Sequence, residues 1–242
     1  MTDVFLAYST SGHTPVSFKK WDWEKKPIPL LVSFYYLKGW LARDQYLCKP
    51  ARLILDSGAY SAWNAGKEID IQQLTEAAKD PVWNEVISLD VIGDPVKTWN
   101  NTVWMNENGA PHAYPVFHIG EPWTYLKKYC DNFPKVGLSC RFGESLKDSM
   151  KWTEQCFARA WPHKFHSFGW VSNALLGSFP FHSADTASWF RRPVEWGAWR
   201  SYGGKVSGLR GTETLVNEMQ WYWDLQCKLK QQWKQEMSRW KD

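Results

Sequence analysis

The sequence predicts an α/β fold: a (β/α)8 TIM-type barrel that forms a single domain over residues 1–242 and ends in a long helix. Two observations lead to this prediction. Short β-rich runs alternate with amphipathic or polar segments along the chain, which is typical of βαβ units and a parallel sheet. The length of 242 residues also suits one barrel of this kind, which commonly has about 250.

Seven runs are candidate strands, and this number favours closure into a barrel over an open sheet. They are Leu30–Leu37, Arg52–Asp56, Val86–Val91, Tyr114–Ile119, Val136–Ser139, Phe165–Phe168 and Phe181–Asp185. The eighth strand is weakly marked, and we place it at Val194–Trp199. Helices are predicted between strands at Ile71–Lys79, Val96–Asn106, Pro122–Tyr129 and Leu146–Ala160.

The chain from Thr212 onward is predicted to be a long helix. Thr212 can cap its first turn, and Glu213 suits the positive end of the helix dipole. An approximate apolar stripe supports the prediction. Its members are Leu215, Met219, Tyr222, Leu229, Trp233 and Trp240.

Composition limits the class of protein. The net charge of +4 permits a nucleic-acid partner but does not require one, because the charge is spread along the chain. Five cysteines without a C-x-x-C pair argue against a disulfide scaffold and suit a reducing compartment. With no leader segment and only short apolar runs, we expect a cytoplasmic protein. Most of the 18 tryptophans are expected in the core.

Three aspartates follow candidate strands at their carboxyl ends, where barrels of this type carry their functional groups. They are Asp56, Asp90 and Asp185. One carboxylate can stabilise or trap an oxocarbenium-like centre, and a second can move protons. A third can accept hydrogen bonds from the donor edge of a guanine. Each aspartate alone is more often a turn or cap residue, so only the ordered set carries weight.

Five short elements occur in a characteristic order. They are Asp56-Ser57-Gly58-Ala59-Tyr60, Asp90, His118-Ile119-Gly120, Val136-Gly137-Leu138-Ser139, and the segment from Phe181 to Trp189. This order resembles the tRNA-guanine transglycosylase superfamily, especially its short phage-type relatives that insert 7-deazaguanine bases into DNA. The first element looks like the family's D-S-G-G-[FY], with Ala59 in place of the second glycine. His118 stands where a base-reading glutamine is usual.

The resemblance implies a pentosyltransferase that exchanges guanine in DNA for a free 7-deazaguanine base. Asp185 would attack the sugar and hold a covalent glycosyl intermediate, while Asp56 would act as general acid and base. The base, flipped out of its stack, would be bound by several groups. These are Ser57, Asp90, His118, the backbone of Gly137 and Leu138, and the ring of Tyr60.

Departures from the family shape the remaining expectations. The C-x-C-x-x-C…H zinc cluster of the tRNA enzymes is missing, so we expect no structural zinc and no cofactor. The shorter chain favours DNA over tRNA, in host cytoplasm if the protein is phage-encoded. Basic residues that follow the strands are candidates for contacts to the nucleic-acid backbone. They are Arg191, Arg192, Arg200, Lys205 and Arg210.

Other functions remain open from the residues alone. One is a zinc-less tRNA-guanine transglycosylase, and another is a barrel that binds nucleic acid without catalysis. Paired carboxylates would also suit an ordinary glycoside hydrolase.

Overall fold

A computed structural model describes residues 2–8, 13–140, 144–169, 171–195, 198–199, 204–205 and 212–236. Eight parallel strands form one curved sheet, in the order β4-β3-β2-β1-β8-β7-β6-β5. Their bounds are β1 Asp3–Ala7, β2 Leu30–Ser33, β3 Leu53–Asp56, β4 Glu85–Val86, β5 Val116–His118, β6 Lys135–Ser139, β7 Lys164–Ser167 and β8 Ser183–Thr186.

The two outer strands of this sheet also meet, which closes the ring. A parallel bridge joins Ile87, just after β4, to Tyr114, just before β5. The Tyr114 amide donates to the Val86 carbonyl at 3.1 Å, and the Ser88 amide donates to the Tyr114 carbonyl at 3.0 Å. Strands therefore follow one another around the barrel in chain order, and the predicted (β/α)8 TIM-type barrel is confirmed.

The position predicted for the eighth strand is wrong. The eighth strand of the barrel is β1, which lies between β2 and β8. It was not predicted because it is only five residues long and begins at the third residue of the sequence. The segment Val194–Trp199 instead begins inside helix α9 (Ser188–Glu195). It ends in β9 (Ala198–Trp199), which pairs with β10 (Gly204–Lys205) in a small antiparallel sheet.

Helices fill the connections between strands. The four predicted helices are present, and side chains cap the first turns of three of them: Asp70 accepts from the Gln72 amide, Asp94 from the Lys97 amide, and Ser145 from the Asp148 amide. The remaining bounds are α1 His13–Lys20, α2 Leu37–Gly39, α3 Ala59–Asn64, α4 Ile71–Ala78, α5 Pro95–Glu107, α6 Trp123–Asn132, α7 Leu146–Ala160, α8 Asn173–Ser178 and α10 Thr212–Glu236. Single helical turns flank α2, at Phe34–Tyr36, Trp40–Asp44 and Gln45–Leu47.

The long C-terminal helix packs on the outside of the barrel against α1, α9 and β1. Its predicted apolar stripe is buried from Leu215 to Trp233, whereas Trp240 lies outside the described residues. Polar contacts fix the helix as well: Gln226 Oε1 accepts from the Val4 amide at 2.8 Å, and Trp233 Nε1 donates to the Leu176 carbonyl at 2.9 Å. The helix thus covers the strand at which the chain begins.

The inside of the barrel at mid-height is mainly apolar, apart from His166 of β7. Its buried residues include Phe5, Leu31, Ile54, Ile87, Tyr114 and Val116. Polar side chains lie above this layer at the carboxyl ends of the strands and below it at the amino ends. None of the helices in the described part of the chain is long and apolar enough to cross a membrane. All five cysteines are free thiols.

Candidate active site

Polar side chains from four strand ends meet at the carboxyl end of the barrel. Asp56 ends β3, His118 ends β5, Asp185 lies in β8, and Asp90 follows β4 by four residues. Because the strands are parallel, their carboxyl ends share one face of the barrel. We use the term carboxylate cluster for six residues of this face: Asp56, Ser57, Asp90, His118, Glu121 and Asp185.

A tight turn after β3 places the first two members. Gly58 has a φ of +78°, and a Cβ atom there would lie 2.8 Å from the Tyr35 backbone nitrogen. Only glycine therefore fits this position without displacing a neighbour. The Gly58 amide donates to Asp56 Oδ2 at 3.1 Å, and the Ser57 hydroxyl donates to Asp90 Oδ1 at 3.1 Å. The turn thereby joins the end of β3 to the loop after β4.

His118 lies between two carboxylates. Its Nε2 atom is 3.1 Å from Asp90 Oδ2, and its Nδ1 atom is 3.0 Å from Glu121 Oε1. All three side chains are buried. Burial alone would lower the pKa of His118, but the hydrogen bonds to Asp90 and Glu121 raise it to about 9. At neutral pH the ring is therefore an imidazolium that donates to both carboxylates.

Glu121 was not predicted from the sequence. It lies in the loop between β5 and α6, and its carboxylate also accepts the His118 backbone amide at 3.1 Å. The available signal was the spacing of three residues between a strand-end histidine and a carboxylate, which is common in turns and therefore weak.

Asp185 is held by a different set of donors. Its Oδ1 atom accepts the Gly169 amide at 2.7 Å and the Nε2 atom of His166 at 3.1 Å. His166 is fully buried in β7. His166 was not predicted as a site residue from the sequence.

Asp56 has the most perturbed carboxyl group of the cluster. Burial and the neighbouring carboxylates of Asp90 and Asp185 raise its pKa to about 7. The residue as a whole is nevertheless half-buried and not fully enclosed. Asp56 can therefore both hold and release a proton near neutral pH.

Other predicted site residues are placed elsewhere. Gly137 and Leu138 lie inside β6, where the Gly137 amide donates to the Pro115 carbonyl and the Leu138 carbonyl accepts the Phe168 amide, each at 2.9 Å. Their backbone groups are therefore used in the sheet. Tyr60 lies on α3 and is 43 % exposed, with its ring 6.4 Å from that of Trp63. The structure does not join it to the cluster.

The predicted backbone-binding residues are only partly described. Arg191 is exposed and Arg192 half-buried on α9, and Lys205 belongs to β10. Arg200 and Arg210 lie outside the described residues. Across the described ranges, no group of three or more histidine, cysteine, aspartate or glutamate side chains is arranged to hold a metal ion.

Comparison with known proteins finds similarity at the level of the fold. No protein-family model and no curated protein matches the sequence. A mutant tryptophan synthase α-subunit from Pyrococcus furiosus is 13 % identical, with a TM-score of 0.56, over 90 % of this chain and 95 % of that one. A 4-hydroxy-2-oxoglutarate/2-dehydro-3-deoxyphosphogluconate aldolase is 10 % identical, with a TM-score of 0.54, over 93 % of each chain.

A third similar structure is a protein assigned as a fructose-1,6-bisphosphate aldolase from Coccidioides immitis. It is 10 % identical with a TM-score of 0.54, over 94 % of this chain and 89 % of that one. At such low identities these similarities establish the barrel fold and leave the reaction open.

The expected membership of the tRNA-guanine transglycosylase superfamily is wrong. The similar structures are a tryptophan synthase α-subunit and aldolases, and no family model supports the resemblance. The expected exchange of guanine for 7-deazaguanine in DNA falls with it, and the tRNA and non-catalytic alternatives gain no support. The motifs misled because aspartates and glycines recur wherever parallel strands turn into helices. In this chain Gly137 lies inside a strand, as its predicted range Val136–Ser139 indicates.

Proposed function

We propose that this protein is an enzyme in which Asp56 acts as general acid and base on a small, neutral or cationic substrate bound at the carboxyl end of the barrel. The observation that carries this proposal is the pKa of Asp56, which burial and two neighbouring carboxylates raise to about 7. A general acid–base group works best when its pKa lies near the working pH, because both protonation states are then available.

The carboxyl group of Asp56 can accept a proton from a substrate and later donate it. In its ionised form Asp56 can take a proton from a substrate hydroxyl, amine or activated C–H group. In its protonated form it can return that proton to a developing anion or a leaving group. The carboxylates of Asp90 and Asp185 are held by hydrogen bonds to His118, His166 and Gly169 and keep fixed positions beside the reacting group.

The charge of the cluster restricts the substrate. Among the described residues, the cluster holds four carboxyl groups (Asp56, Asp90, Glu121 and Asp185) and one imidazolium, that of His118, which contacts Asp90 and Glu121. This excess of negative charge repels phosphates and carboxylates and attracts cations and hydrogen-bond donors. A bisphosphate, as named for the Coccidioides protein, is therefore a poor candidate at this position.

A substrate screen with matched variants tests the proposal. The wild type, Asp56→Asn and Asp131→Asn are compared, since Asp131 is an exposed carboxylate paired with Lys127 on α6, away from the mouth. Neutral polyols, amines, phosphorylated sugars and dicarboxylic acids are ranked by thermal stabilisation, and binders are then tested for turnover by mass spectrometry.

We expect neutral or cationic compounds to bind best. Wild type and Asp131→Asn should turn over the substrate equally, with an ionisation near pH 7 in kcat/KM, while Asp56→Asn should lose about 100-fold or more. Undiminished turnover by Asp56→Asn, or tightest binding of phosphorylated compounds, would refute the proposal.

A further inference from the structure

A line of polar side chains runs through the interior of the barrel from the amino ends of the strands up to Asp185. It consists of Lys135 at the start of β6, Ser183 at the start of β8, and His166 in β7. Each of these side chains is buried, and His166 and Ser183 have no exposed surface. We call these three residues, together with Asp185 at the upper end, the interior relay.

Short distances connect the members of the interior relay. Lys135 Nζ lies 2.6 Å from Ser183 Oγ, which in turn lies 2.7 Å from His166 Nδ1. The other ring nitrogen, Nε2, lies 3.1 Å from Asp185 Oδ1. A charged ammonium at the bottom of the barrel is therefore linked to the carboxylate at the mouth through one hydroxyl and one imidazole.

The chemistry of these groups fixes the direction of every hydrogen bond. Burial lowers the pKa of His166, so its ring is neutral at pH 7 and carries one proton. Because Nε2 faces a carboxylate oxygen, the proton must be on Nε2, and Nδ1 must accept. Ser183 therefore donates its only hydroxyl proton to Nδ1 and accepts from Lys135, which can only donate.

The lower end of the relay is anchored. Lys135 Nζ also donates to Glu85 Oε2 at 2.5 Å, and the same carboxylate accepts from Tyr114 Oη at 3.2 Å. Arg52 pairs with the other oxygen of Glu85 and with Asp3 Oδ2, the latter at 2.9 Å. Burial lowers the pKa of Lys135 to about 8 despite the opposing effect of Glu85, so the ammonium is the main form at pH 7.

We propose that Lys135, Ser183 and His166 are positioning residues for Asp185: they lock His166 as its Nε2–H tautomer and thereby fix the carboxylate of Asp185 at the mouth. The Gly169 amide and His166 then converge on the same oxygen, Oδ1, so the carboxylate cannot rotate without breaking two hydrogen bonds. The effect on catalysis rests on the proposed function, whereas the tautomer does not.

NMR of the full-length protein with ¹⁵N-labelled histidine tests the tautomer. Long-range ¹H–¹⁵N spectra at pH 7 should show a neutral His166 with the proton on Nε2, assigned by comparison with His166→Gln. An Nδ1–H tautomer or an imidazolium in the wild type would overturn the proposal, whatever the variants show.

Three variants separate positioning from simple core packing. Ser183→Ala removes the donor to Nδ1 and should shift the Nδ1 resonance away from its hydrogen-bonded position, while Ser183→Thr keeps a hydroxyl and should restore it. Ser149→Ala removes another buried hydroxyl, on α7 and outside the relay, and should leave His166 unchanged. An Nδ1 resonance that is unchanged in Ser183→Ala would contradict the proposal.

With a substrate from the screen, Ser183→Ala should lower kcat on the order of tenfold to a hundredfold with little change in KM, and Ser183→Thr should recover it. Equal kcat values for Ser183→Ala and Ser149→Ala would contradict the positioning role. If Asp56→Asn keeps full activity while the Nδ1 resonance of His166 responds to Ser183 as expected, the proposed function fails and the relay stands.

Discussion

The Nε2 atom of His118 lies 3.1 Å from Oδ2 of Asp90. This contact joins the end of β5 to the loop after β4, where the barrel closes, and we call this junction the seam. Below it, the two sides of the seam are joined by the backbone bridge between Ile87 and Tyr114 and by the hydrogen bond from Tyr114 Oη to Glu85. The contact between an imidazolium and a carboxylate therefore serves two purposes. It completes the ring above β4 and β5, and it fixes one carboxylate beside Asp56.

Replacing His118 should weaken this seam in a pH-dependent way. The folded pKa of about 9 exceeds the unfolded value near 6.5, so the stabilisation is complete below about pH 6.5 and disappears as the pH rises through 9. His118→Gln leaves two buried carboxylates without their cation and should lose about 3 kcal/mol of unfolding free energy at pH 6. The difference in unfolding free energy between wild type and His118→Gln should shrink toward pH 9.

Urea unfolding between pH 6 and pH 9 measures this difference. His112→Asn is the matched control, because His112 is exposed and its φ of +73° suits asparagine. A constant deficit across the pH range, or a similar loss in His112→Asn, would show that His118 is not a buried cation.

Asp56→Asn should stabilise the protein at neutral and alkaline pH. A folded pKa of about 7 means that the folded state binds more protons than the unfolded state between about pH 4 and pH 7. Stability of the wild type therefore falls as the pH rises through this window. Asp56→Asn cannot lose stability in this way. Its free energy of unfolding should therefore exceed that of the wild type by at most about 4 kcal/mol above pH 7.

Unfolding midpoints in urea at pH 5 and pH 8 give the test, with Asp131→Asn as the control for loss of an exposed carboxylate. An advantage of Asp56→Asn that is no larger at pH 8 than at pH 5 would be inconsistent with a raised pKa.

Gly58→Ala should disrupt the turn that positions Asp56 and Ser57. Left-handed backbone at an alanine costs about 1 kcal/mol, and the new Cβ atom would also lie 2.8 Å from the Tyr35 nitrogen. That crowding should add about 1–3 kcal/mol. Gly93 has a similar φ of +80° but nothing within 4 Å of an added Cβ, so Gly93→Ala isolates the backbone cost. Equal losses for the two variants in urea unfolding would rule out the crowding at Gly58.

Replacing Trp233, in the apolar stripe of the C-terminal helix, should strongly destabilise the protein. This ring is 2 % exposed and donates to the Leu176 carbonyl, so Trp233→Ala should lose about 3–5 kcal/mol. Trp63 is 70 % exposed on α3, and Trp63→Ala should change stability by no more than about 0.5 kcal/mol. Denaturant unfolding of both variants checks the contrast; a small effect at Trp233 would mean that the helix is not part of the folded core.

The alternation of strands and helices was enough to predict the barrel, because parallel strands buried on both faces form apolar runs that stand out from the helices between them. The alternation did not reveal the short strand Asp3–Ala7. It also wrongly indicated a strand at Val194–Trp199, whose aromatic residues resemble those of a strand. The C-terminal helix was predictable from its stripe because its spacing follows one helix face.

The site was only partly predictable. Strand-end positions marked Asp56, Asp90, His118 and Asp185, since one face of the barrel collects these ends. The partners of these side chains were harder to find. His166 and Lys135 act through contacts between different strands, and Glu121 lies three residues after His118, a spacing that is common in turns. Family-like motifs gave a wrong reaction, since short strand-end motifs recur in unrelated barrels.

The most direct test of the proposed chemistry is the pKa of Asp56, measured by ¹³C NMR titration of the protein labelled at its aspartate carboxyl carbons. Comparison with Asp56→Asn assigns the signal, and Asp131→Asn provides an exposed reference. We predict a midpoint near pH 7 for Asp56. A midpoint below about pH 5, close to that of an ordinary aspartate, would contradict the assignment of Asp56 as the general acid and base.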